Sequence, residues 1–258
     1  MKLKGNTIFI TGGGSGIGRG LAEALNKLGN RVIVAGRRRG HLDAVVSANP
    51  GMAAIELDIA DPASIDRAAK QLIAEHPDVN VLINNAGIMR PENLQAPQND
   101  LADAEATIVT NLLGPIRLTA ALLPLLARQP QGTIITVSSG LAFVPLAMTP
   151  TYCATKAAIH SYTQSLRYQL RDTRAQVLEL IPPYVQTELT GPRQASDPNA
   201  MPLKDFISET MSILENSHAS TEICAERVKP LRFAEASGQY DAFFKNFNDG
   251  MTAAAAAH

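Results

Sequence analysis

The chain is poor in cysteine, in net charge and in long hydrophobic runs. Two cysteines among 258 residues, Cys153 and Cys224, cannot form a disulfide framework, which favours a reducing, cytoplasmic environment. A net charge of −1 gives no electrostatic reason to expect a nucleic acid or an anionic membrane as a partner. The most apolar stretch, Leu118–Ala127, is shorter than the ~18 apolar residues that span a bilayer, so we interpret it as the buried part of a helix and predict no membrane span.

The chain also lacks several patterns that would indicate other classes of protein. The histidines His41, His76, His160 and His218 have no cysteine or acid at the spacing of metal ligands, so no metal site is predicted. His160 is expected to be packed or to lie at a subunit contact. The first apolar run begins at Thr7, which leaves no room for a signal peptide. No internal repeat or linker indicates a second domain.

Six short β-rich runs alternate with helical stretches, at Thr7–Ile10, Arg31–Ala35, Ala53–Leu57, Val79–Ile83, Thr133–Val137 and Gln176–Ile181. This alternation predicts an α/β fold with one doubly wound parallel sheet of six to seven strands and helices on both faces. A chain of 258 residues, 45% hydrophobic and 18% charged, suits a single globular domain, which we place at residues 1–252. Ligands bind such sheets outside the carboxyl ends of the strands.

The segment TGGGSGIG follows the first predicted strand and precedes an amphipathic helix, Leu21–Leu28. Glycines at Gly12, Gly16 and Gly18 would let the backbone approach a pyrophosphate, and the following helix N-terminus would offer free amides and a positive dipole. Their spacing is G-x-x-x-G-x-G, which differs from the commoner G-x-G-x-x-G. An ordinary tight turn would contain the same glycines, so this segment alone does not establish a phosphate site.

Tyr152 and Lys156 are four residues apart in TYCATK, and Ser139 lies thirteen residues before the tyrosine. On a helix this step puts the ammonium beside the phenol. A neighbouring cation is expected to lower the phenol pKa from ~10, which would let Tyr152 exchange a proton at neutral pH. Ser139 would supply a hydroxyl that holds the reacting oxygen. These residues transfer a proton but no hydride, so a cofactor is required.

With these residues in one chain, the sequence resembles the classical short-chain dehydrogenases/reductases from about residue 3 to residue 189. The blocks LDIAD, NNAG, TNLLGP and PPYVQT match that family in order. The resemblance implies a single-domain Rossmann-type fold, in which Asn111 holds a water that links Lys156 to solvent and Lys156 also holds the nicotinamide ribose. It implies that the dinucleotide is contacted by Gly12, Ser15, Gly16, Ile17, Gly18, Asp58, Ile59, Asn85, Ala86, Gly87, Tyr152, Lys156, Pro182, Val185 and Thr187.

Charge after the second predicted strand bears on the choice of cofactor. An acid ~20 residues past the glycine turn would bond the ribose 2′-hydroxyl of NAD. This chain has Gly36 and then Arg37, Arg38 and Arg39, with no acid before Asp43. Guanidinium groups suit a phosphate, so Arg37 and Arg38 predict NADP(H) in preference to NAD(H). A solvated basic loop is the alternative interpretation.

The blocks VSSGLAFVP, TPTYCATKAAIHSYTQSLRYQL and LIPPYVQTEL resemble the DltE-like branch of these oxidoreductases, a label that supplies no substrate. Pro183 stands where the family usually has glycine. Arg90 would either anchor an acidic substrate or be a solvated loop residue. The other residues expected to line the substrate pocket make it mostly apolar, and they are Met89, Leu141, Phe143, Thr149 and Tyr184.

The C-terminal part departs from the alternating pattern. After Leu189 the segment GPRQASDPNAMP is rich in proline, glycine and polar residues, and helical patterns follow to about Gly238. We predict a substrate lid at about 188–216, with a plain surface loop as the alternative. The segment SGQYDAFFKNFNDG replaces the family's usual C-terminal strand and glycines, which leaves the position of a seventh strand open. Residues 253–258 are interpreted as a disordered tail or a remnant of cloning.

We therefore expect an enzyme that passes hydride between NADP(H) and a small carbonyl compound or secondary alcohol, with Tyr152 as general acid and base. A non-catalytic cofactor-binding sensor or scaffold is the alternative, although such proteins commonly lose the tyrosine or the lysine. A homodimer or homotetramer is expected, formed through long helices at about Leu101–Ala127 and Tyr152–Arg171. Their apolar stripes, which include Ile159 and Tyr162, could equally belong to the core.

Overall fold

One continuous sheet forms the centre of the computed structural model, which describes residues 1–96, 101–216 and 220–256. Its strands are β1 (Thr7–Thr11), β2 (Arg31–Gly36), β3 (Ala53–Glu56), β4 (Val81–Asn84), β5 (Thr133–Val137), β6 (Gln176–Ile181) and β7 (Glu222–Cys224). All pair in parallel, in the order β3, β2, β1, β4, β5, β6, β7. This order confirms the predicted doubly wound sheet. His218 and the last two residues of the expected tail lie outside the described residues.

Helices cover both faces of the sheet. They are α1 (Gly16–Lys27), α2 (Arg39–Ala48), α3 (Pro62–Glu75), α4 (Ala102–Ile108), α5 (Gly114–Leu126), α6 (Pro150–Gln169), α7 (Leu203–Asn216), α8 (Lys229–Arg232) and α9 (Tyr240–Ala256). A π-helical segment, Val109–Leu113, joins α4 to α5.

Successive side chains of the central strand β1 point to opposite cores, because side chains alternate along a strand. Ile8 and Ile10 pack in a buried cluster with residues of α1, α2 and α7. Phe9 packs in a second cluster with residues of α3, α5 and α6. Since both faces are covered, the strands are mostly apolar.

Each of the six predicted strands is present, with ends that differ from the prediction by at most two residues. The seventh strand, β7, lies inside a stretch that was predicted to be helical up to about Gly238, so the helical prediction is wrong there. Three residues are too few to show an alternating pattern. The strand forms because Leu180 and Ile181 of β6 offer it a paired edge, which is a tertiary effect.

The segment predicted as a substrate lid, 188–216, is only partly a surface loop. Its second half is α7, whose Phe206 is 0% exposed and packs with α1 in the core. A Cβ on Gly20 of α1 would lie 2.8 Å from Ile207, so the two helices are in close contact. This packing does not favour a lid role for α7, because an amphipathic helix buries its apolar face. For the loop before α7 the lid role stays a prediction.

The interpretation of residues 253–258 as a disordered tail is also wrong for its first part. The backbone of α9 continues to Ala256, so the alanines 253–256 extend a helix. Alanine has the highest intrinsic helix propensity, which explains why the helix propagates into this segment.

Among the described residues, one helical stretch, Ala102–Leu126, is long and apolar enough to cross a membrane by length and composition. Core helices of soluble proteins can have the same length and composition, so this is weak evidence for a membrane span. Leu118, Leu122 and Leu126 of this stretch are fully buried in the cluster shared with α3. The interpretation of the apolar run as a buried helix agrees with this packing.

Replacing Phe206 by alanine should lower the free energy of unfolding by about 3–5 kcal/mol, because it leaves a cavity between α7 and α1. Phe233→Ala is the matched control, since Phe233 is 48% exposed. Denaturant unfolding followed by circular dichroism would compare the two variants. Small and equal effects would mean that α7 is a removable cover and not part of the core.

Candidate active site

The loops at the carboxyl ends of the strands meet where the strand order reverses, between β1 and β4. After β1, a Cβ on Gly12 would lie 2.8 Å from the Asn85 side chain, which follows β4. After β5, the Gly140 N–H donates to the Pro182 carbonyl oxygen, which follows β6, at 3.0 Å. These contacts gather the predicted cofactor and catalytic residues at one edge of the sheet.

The glycine turn packs directly against the end of β4. Gly12 has a φ of +67°, and a Cβ on Gly18 would lie 2.4 Å from both the Gly12 carbonyl oxygen and the Asn85 amide nitrogen. The Asn85 amide donates to the Thr11 carbonyl oxygen at 2.9 Å. The Thr11 hydroxyl accepts the N–H groups of Asn85 and Ala86, both at 3.0 Å. Sequence reasoning missed Thr11. The available signal was that a polar residue stands between the apolar strand and the glycines.

The start of α1 and the loop after β2 form the expected phosphate site. Ser15 precedes α1, and its hydroxyl accepts a hydrogen bond from Arg38 at 3.2 Å. Arg37 is exposed and, within the described part of the chain, makes no ion pair or side-chain hydrogen bond. Arg39 instead pairs with Asp43 at 2.8 Å. A helix N-terminus with a guanidinium group beside it is suited to phosphate, so this donor set fits a dinucleotide.

The remaining residues predicted to contact the dinucleotide surround this turn. Gly16 has a φ of +53°, and a Cβ there would lie 3.4 Å from Thr187. Asp58 lies at the end of β3, and its Oδ1 accepts the N–H two residues ahead at 2.9 Å. Ile17 packs partly into the core and Ile59 is buried, so the side chains of these two residues belong to the core.

Tyr152, Lys156 and Ser139 come together as the sequence predicts. Tyr152 and Lys156 lie on one face of α6, and the Lys156 nitrogen is 5.6 Å from the centroid of the tyrosine ring. That nitrogen donates to the Val137 carbonyl oxygen on β5 at 2.8 Å. Ser139 follows β5, and its Oγ accepts the Leu141 N–H at 3.1 Å. All three side chains are buried.

Burial determines the protonation of both ionisable groups. It raises the pKa of Tyr152 to about 12, although the hydrogen bond with Ser139 acts in the opposite direction. Burial also lowers the pKa of Lys156 to about 8, and the charge of Glu179 opposes this shift. The expectation of a lowered phenol pKa is therefore wrong for the free protein, because desolvation outweighs the hydrogen bond with Ser139.

Asn111 lies in the π-helical segment between α4 and α5, a local irregularity that is frequent at functional sites. Its Oδ1 accepts the Ile88 N–H at 2.9 Å, and its Nδ2 donates to the Ile88 carbonyl oxygen at 2.8 Å. A Cβ on Gly87 would lie 3.3 Å from Asn111 and 3.9 Å from the Lys156 nitrogen. Asn111 therefore holds the loop after β4 against the lysine. Its role in holding a water stays a prediction.

The loop after β6 is fixed by a glutamine that sequence reasoning missed. Gln194 donates to the Val185 carbonyl oxygen at 2.8 Å and to the Thr187 hydroxyl at 3.0 Å. Gln194 and Val185 are both buried. One glutamine in a polar loop has no distinctive spacing, so its contribution is visible only in the folded chain. The bonds keep the predicted cofactor residues beside the Ser139 loop.

An apolar cluster surrounds Tyr152 and includes two of the predicted substrate residues, Met89 and Leu141. Arg90 is exposed, and its nitrogen lies 3.9 Å from a carboxylate oxygen of Asp103. At that distance the ion pair is loose. The arginine is accessible from solvent, and its role as a substrate anchor stays a prediction.

The other predicted substrate residues each make structural contacts of their own. Phe143 packs edge-on against His160, with 4.8 Å between ring centroids. Thr149 is buried at the start of α6, where its hydroxyl donates to a backbone carbonyl at 3.5 Å. The Tyr184 hydroxyl donates to Asp197 at 3.0 Å. Phe143 and Thr149 thus have structural contacts, and the substrate role of all three residues stays a prediction.

Helix α9 forms a wall of the Tyr152 cluster that the sequence pattern left unassigned. Phe247 packs against the buried residues of this cluster. Asn248 accepts the Ala147 N–H at 2.7 Å and donates to the Pro145 carbonyl oxygen at 3.1 Å. The four-residue spacing of Phe243 and Phe247, which stack on one another, was the available signal for a helix.

A polar cluster is formed by residues of α6, β6 and β7, and its α6 member lies one helical turn after Lys156. The ligand atoms of His160, Glu179 and Glu222 lie within 4.8 Å of one another. Arg232 donates to both oxygens of Glu222, each at 2.8 Å. The prediction that His160 is packed is confirmed. Spacing along the chain could not detect this cluster, because its members come from separate elements.

Comparisons with known proteins agree with this geometry. The family model described as short chain dehydrogenase matches residues 6–198. A relative named uncharacterized oxidoreductase DltE, from Bacillus subtilis, is 38% identical and spans 96% of this chain and 98% of its own length. An NADP-dependent 3-hydroxy acid dehydrogenase from Schizosaccharomyces pombe is 32% identical over 76% of this chain and 80% of its own.

A solved structure has the same fold. It is a short chain dehydrogenase from Burkholderia cenocepacia in complex with NADP, with a TM-score of 0.79 and 29% sequence identity. The match covers 93% of this chain and 96% of that chain. Other solved structures of this fold contain NADH or NAD, so the fold itself does not select between the two cofactors.

The sheet with its glycine turn, and the tyrosine and lysine buried on one helix, define an oxidoreductase site for a nicotinamide dinucleotide. Because the family model covers most of the chain, the chain belongs to the short-chain dehydrogenase family. Within that family it is similar to a DltE-like oxidoreductase over nearly its whole length. The predicted family and the predicted class of cofactor are confirmed.

Gly18→Ala should abolish measurable dinucleotide binding, because the added methyl group would force the turn away from Asn85. Gly40→Ala on α2 is the matched control, since a Cβ there meets nothing within 4 Å. Fluorescence titration with NADPH would measure binding, and circular dichroism would show that both variants fold. Unchanged affinity in Gly18→Ala would mean that this turn does not hold the dinucleotide.

Proposed function

We propose that this chain reduces a carbonyl compound, or oxidises the corresponding secondary alcohol, with NADP(H) as the hydride carrier. The main support is the position of Tyr152, Lys156 and Ser139, which lie together at the edge of the sheet that also holds the glycine turn. A site with this arrangement can transfer a proton to or from an oxygen next to a bound nicotinamide.

The bound dinucleotide would supply or accept the hydride at C4 of the nicotinamide. In the reduction, Tyr152 starts protonated, since burial raises its pKa to about 12, and its phenol donates a proton to the carbonyl oxygen. Ser139, which is hydrogen-bonded to Tyr152, would hold that same oxygen. The Lys156 ammonium would stabilise the phenolate that remains and would bond the nicotinamide ribose.

The preference for NADP(H) is supported by the charge around the start of α1. Arg37 is exposed, Arg38 contacts Ser15, and the nearest acid along the chain is already paired with Arg39. Two guanidinium groups would bind the 2′-phosphate of NADP(H), which NAD(H) lacks. The relative from Schizosaccharomyces pombe is NADP-dependent, which is consistent with this choice. NAD(H) would bind at the same site more weakly.

The proposed substrate is a small carbonyl or alcohol compound with an apolar body. The side chains around Tyr152, among them Met89, Leu141 and Phe247, present apolar surface to it. Arg90 is exposed and would bind a carboxylate, and a relative is named for its action on 3-hydroxy acids. Acids with a 3-hydroxy or 3-oxo group are therefore included in the substrates to be tested.

We also propose a cytoplasmic homodimer or homotetramer formed through α4, α5 and α6. Both cysteines are free thiols, which suits a reducing compartment. Ile159 is buried and belongs to the core, whereas Ile108 and Tyr168 are 40% and 68% exposed and would be available for a subunit contact.

Tyr152→Phe should leave NADPH affinity within about twofold and lower kcat by about 100-fold or more, because it removes the proton donor while preserving the ring. Tyr168→Phe is the control, since this tyrosine is 68% exposed on the same helix. Steady-state rates on any carbonyl compound that the wild type reduces would measure the effect. Full activity of Tyr152→Phe would exclude the proposed role.

The double substitution Arg37→Gln and Arg38→Gln should weaken NADPH binding by about 10-fold or more, because charge-assisted bonds to the 2′-phosphate are lost. Binding of NADH should change by about twofold at most. Arg39→Gln is the matched control, because Arg39 is paired with Asp43. Equal weakening of both nucleotides in the double variant would contradict the 2′-phosphate assignment.

A further inference from the structure

A carboxylate lies in the middle of the sheet where an apolar side chain would be expected. Glu179 is in β6, is 0% exposed, and is flanked by Leu178 and Leu180, which face the core on the other side. Placing a charge in such a position is costly unless other groups compensate for it. The face that Glu179 occupies is the one that α6 covers.

Within the described residues, the hydrogen-bond partner of the Glu179 side chain is His160. Its Nδ1 lies 2.9 Å from Oε1 and 2.8 Å from Oε2. An ionised carboxylate can only accept, so the imidazole donates and fixes the position of the carboxylate. His160 is held in turn by the edge-on contact with Phe143.

The neighbouring charges already have their own partners. Glu222 of β7 is bound through both oxygens by Arg232 of α8. Arg167 of α6 donates to two backbone carbonyls, at Val177 and Thr221. A divalent cation at His160, Glu179 and Glu222 would have to displace the Arg232 guanidinium, so we do not assign a metal to this cluster.

Lys156 has no carboxylate in direct contact among the residues that the structure describes, and its nitrogen bonds to a backbone carbonyl. It lies one helical turn before His160, so the two side chains share the face of α6 that is turned to the sheet. Its nitrogen donates to the carbonyl oxygen of Val137, which is paired across the sheet with Leu180, the residue next to Glu179. The negative charge of Glu179 favours the ammonium form of this lysine and opposes the effect of burial, which lowers its pKa to about 8.

We propose that Glu179 is a positioning residue for the reaction: its buried carboxylate, held in place by His160, keeps Lys156 in the ammonium form at neutral pH. The inference rests on the proposed function, because the ammonium is needed there to stabilise the tyrosinate and to bond the ribose. The charged groups that face this pair are Lys156 and Arg167 from α6, Glu222 from β7 and Arg232 from α8.

The direct test is the titration of Lys156 in the free protein, followed by NMR of ¹³C-labelled lysine and assigned by comparison with Lys156→Met. In the wild type the midpoint should lie near the pKa of about 8 that burial imposes. In Glu179→Gln, which preserves size and removes the charge, it should fall by about one pH unit. Glu222→Gln is the matched control, and its midpoint should stay where it is in the wild type.

An unchanged midpoint in Glu179→Gln, together with a lower melting temperature, would overturn the proposal and leave Glu179 with a structural role alone. Should Glu179→Gln fail to fold, the double variant Glu179→Gln/His160→Gln also removes the negative charge at position 179. Its two amides can bond to each other, so the lysine midpoint can be measured in that variant instead. The midpoint expected for it is also about one pH unit below that of the wild type.

The pH dependence of NADPH binding distinguishes this inference from the proposed function. If both hold, the affinity should decrease at alkaline pH, and in Glu179→Gln this decrease should begin about one pH unit lower. A shifted lysine midpoint in a protein that binds no NADPH would sink the proposed function while the electrostatic role of Glu179 stands. Normal NADPH binding with an unshifted lysine midpoint would overturn the electrostatic role of Glu179 and leave the proposed function standing.

Discussion

The active site depends on the burial of polar side chains of α6 against a parallel sheet. Removing Tyr152 and Lys156 from water disfavours the charged form of each, so the phenol pKa rises to about 12 and the lysine pKa falls to about 8. A neutral phenol is the form that donates a proton to a carbonyl oxygen. A neutral lysine, in contrast, would be unable to stabilise the phenolate that results, so the site needs a source of negative charge near the lysine.

That requirement explains why a carboxylate in the core of β6 is tolerated. Glu179 and His160 form a hydrogen-bonded pair beside the lysine, and Arg232 neutralises the neighbouring Glu222. Opposing effects therefore act on one ammonium group: burial disfavours it, whereas the carboxylate favours it. The balance between them sets the pH range over which the proposed chemistry is possible.

The cofactor end and the catalytic end of the site are joined by short polar contacts. Thr11 and Asn85 tie the glycine turn to the end of β4. Two residues further along, Gly87 lies between Asn111 and Lys156, and a Cβ there would be in tight contact with Asn111. The loop after β4 therefore contacts both the glycine turn and the lysine. Preorganisation of this kind is what hydride and proton transfer to one substrate requires.

Local sequence patterns were sufficient to predict the elements whose conformation depends on residues close together in the chain. The six long strands, the glycine turn, and the shared face of Tyr152 and Lys156 follow from periodicity and spacing. The short strand β7, the burial of α7 and the wall formed by α9 depend on contacts between distant segments, so they could not be derived from the order of residues. The sign of the Tyr152 pKa shift was wrong for the same reason, because desolvation depends on the whole fold.

The central claim is that this chain transfers hydride and is not a dinucleotide-binding sensor. We would incubate it with NADPH that carries deuterium at C4 of the nicotinamide and with a panel of ketones, aldehydes, sugars and 3-oxo acids. Mass spectrometry of the products would then show where the deuterium goes. The account predicts an alcohol with deuterium on the former carbonyl carbon for at least one substrate. NADPH binding without deuterium transfer to any member of the panel would contradict it.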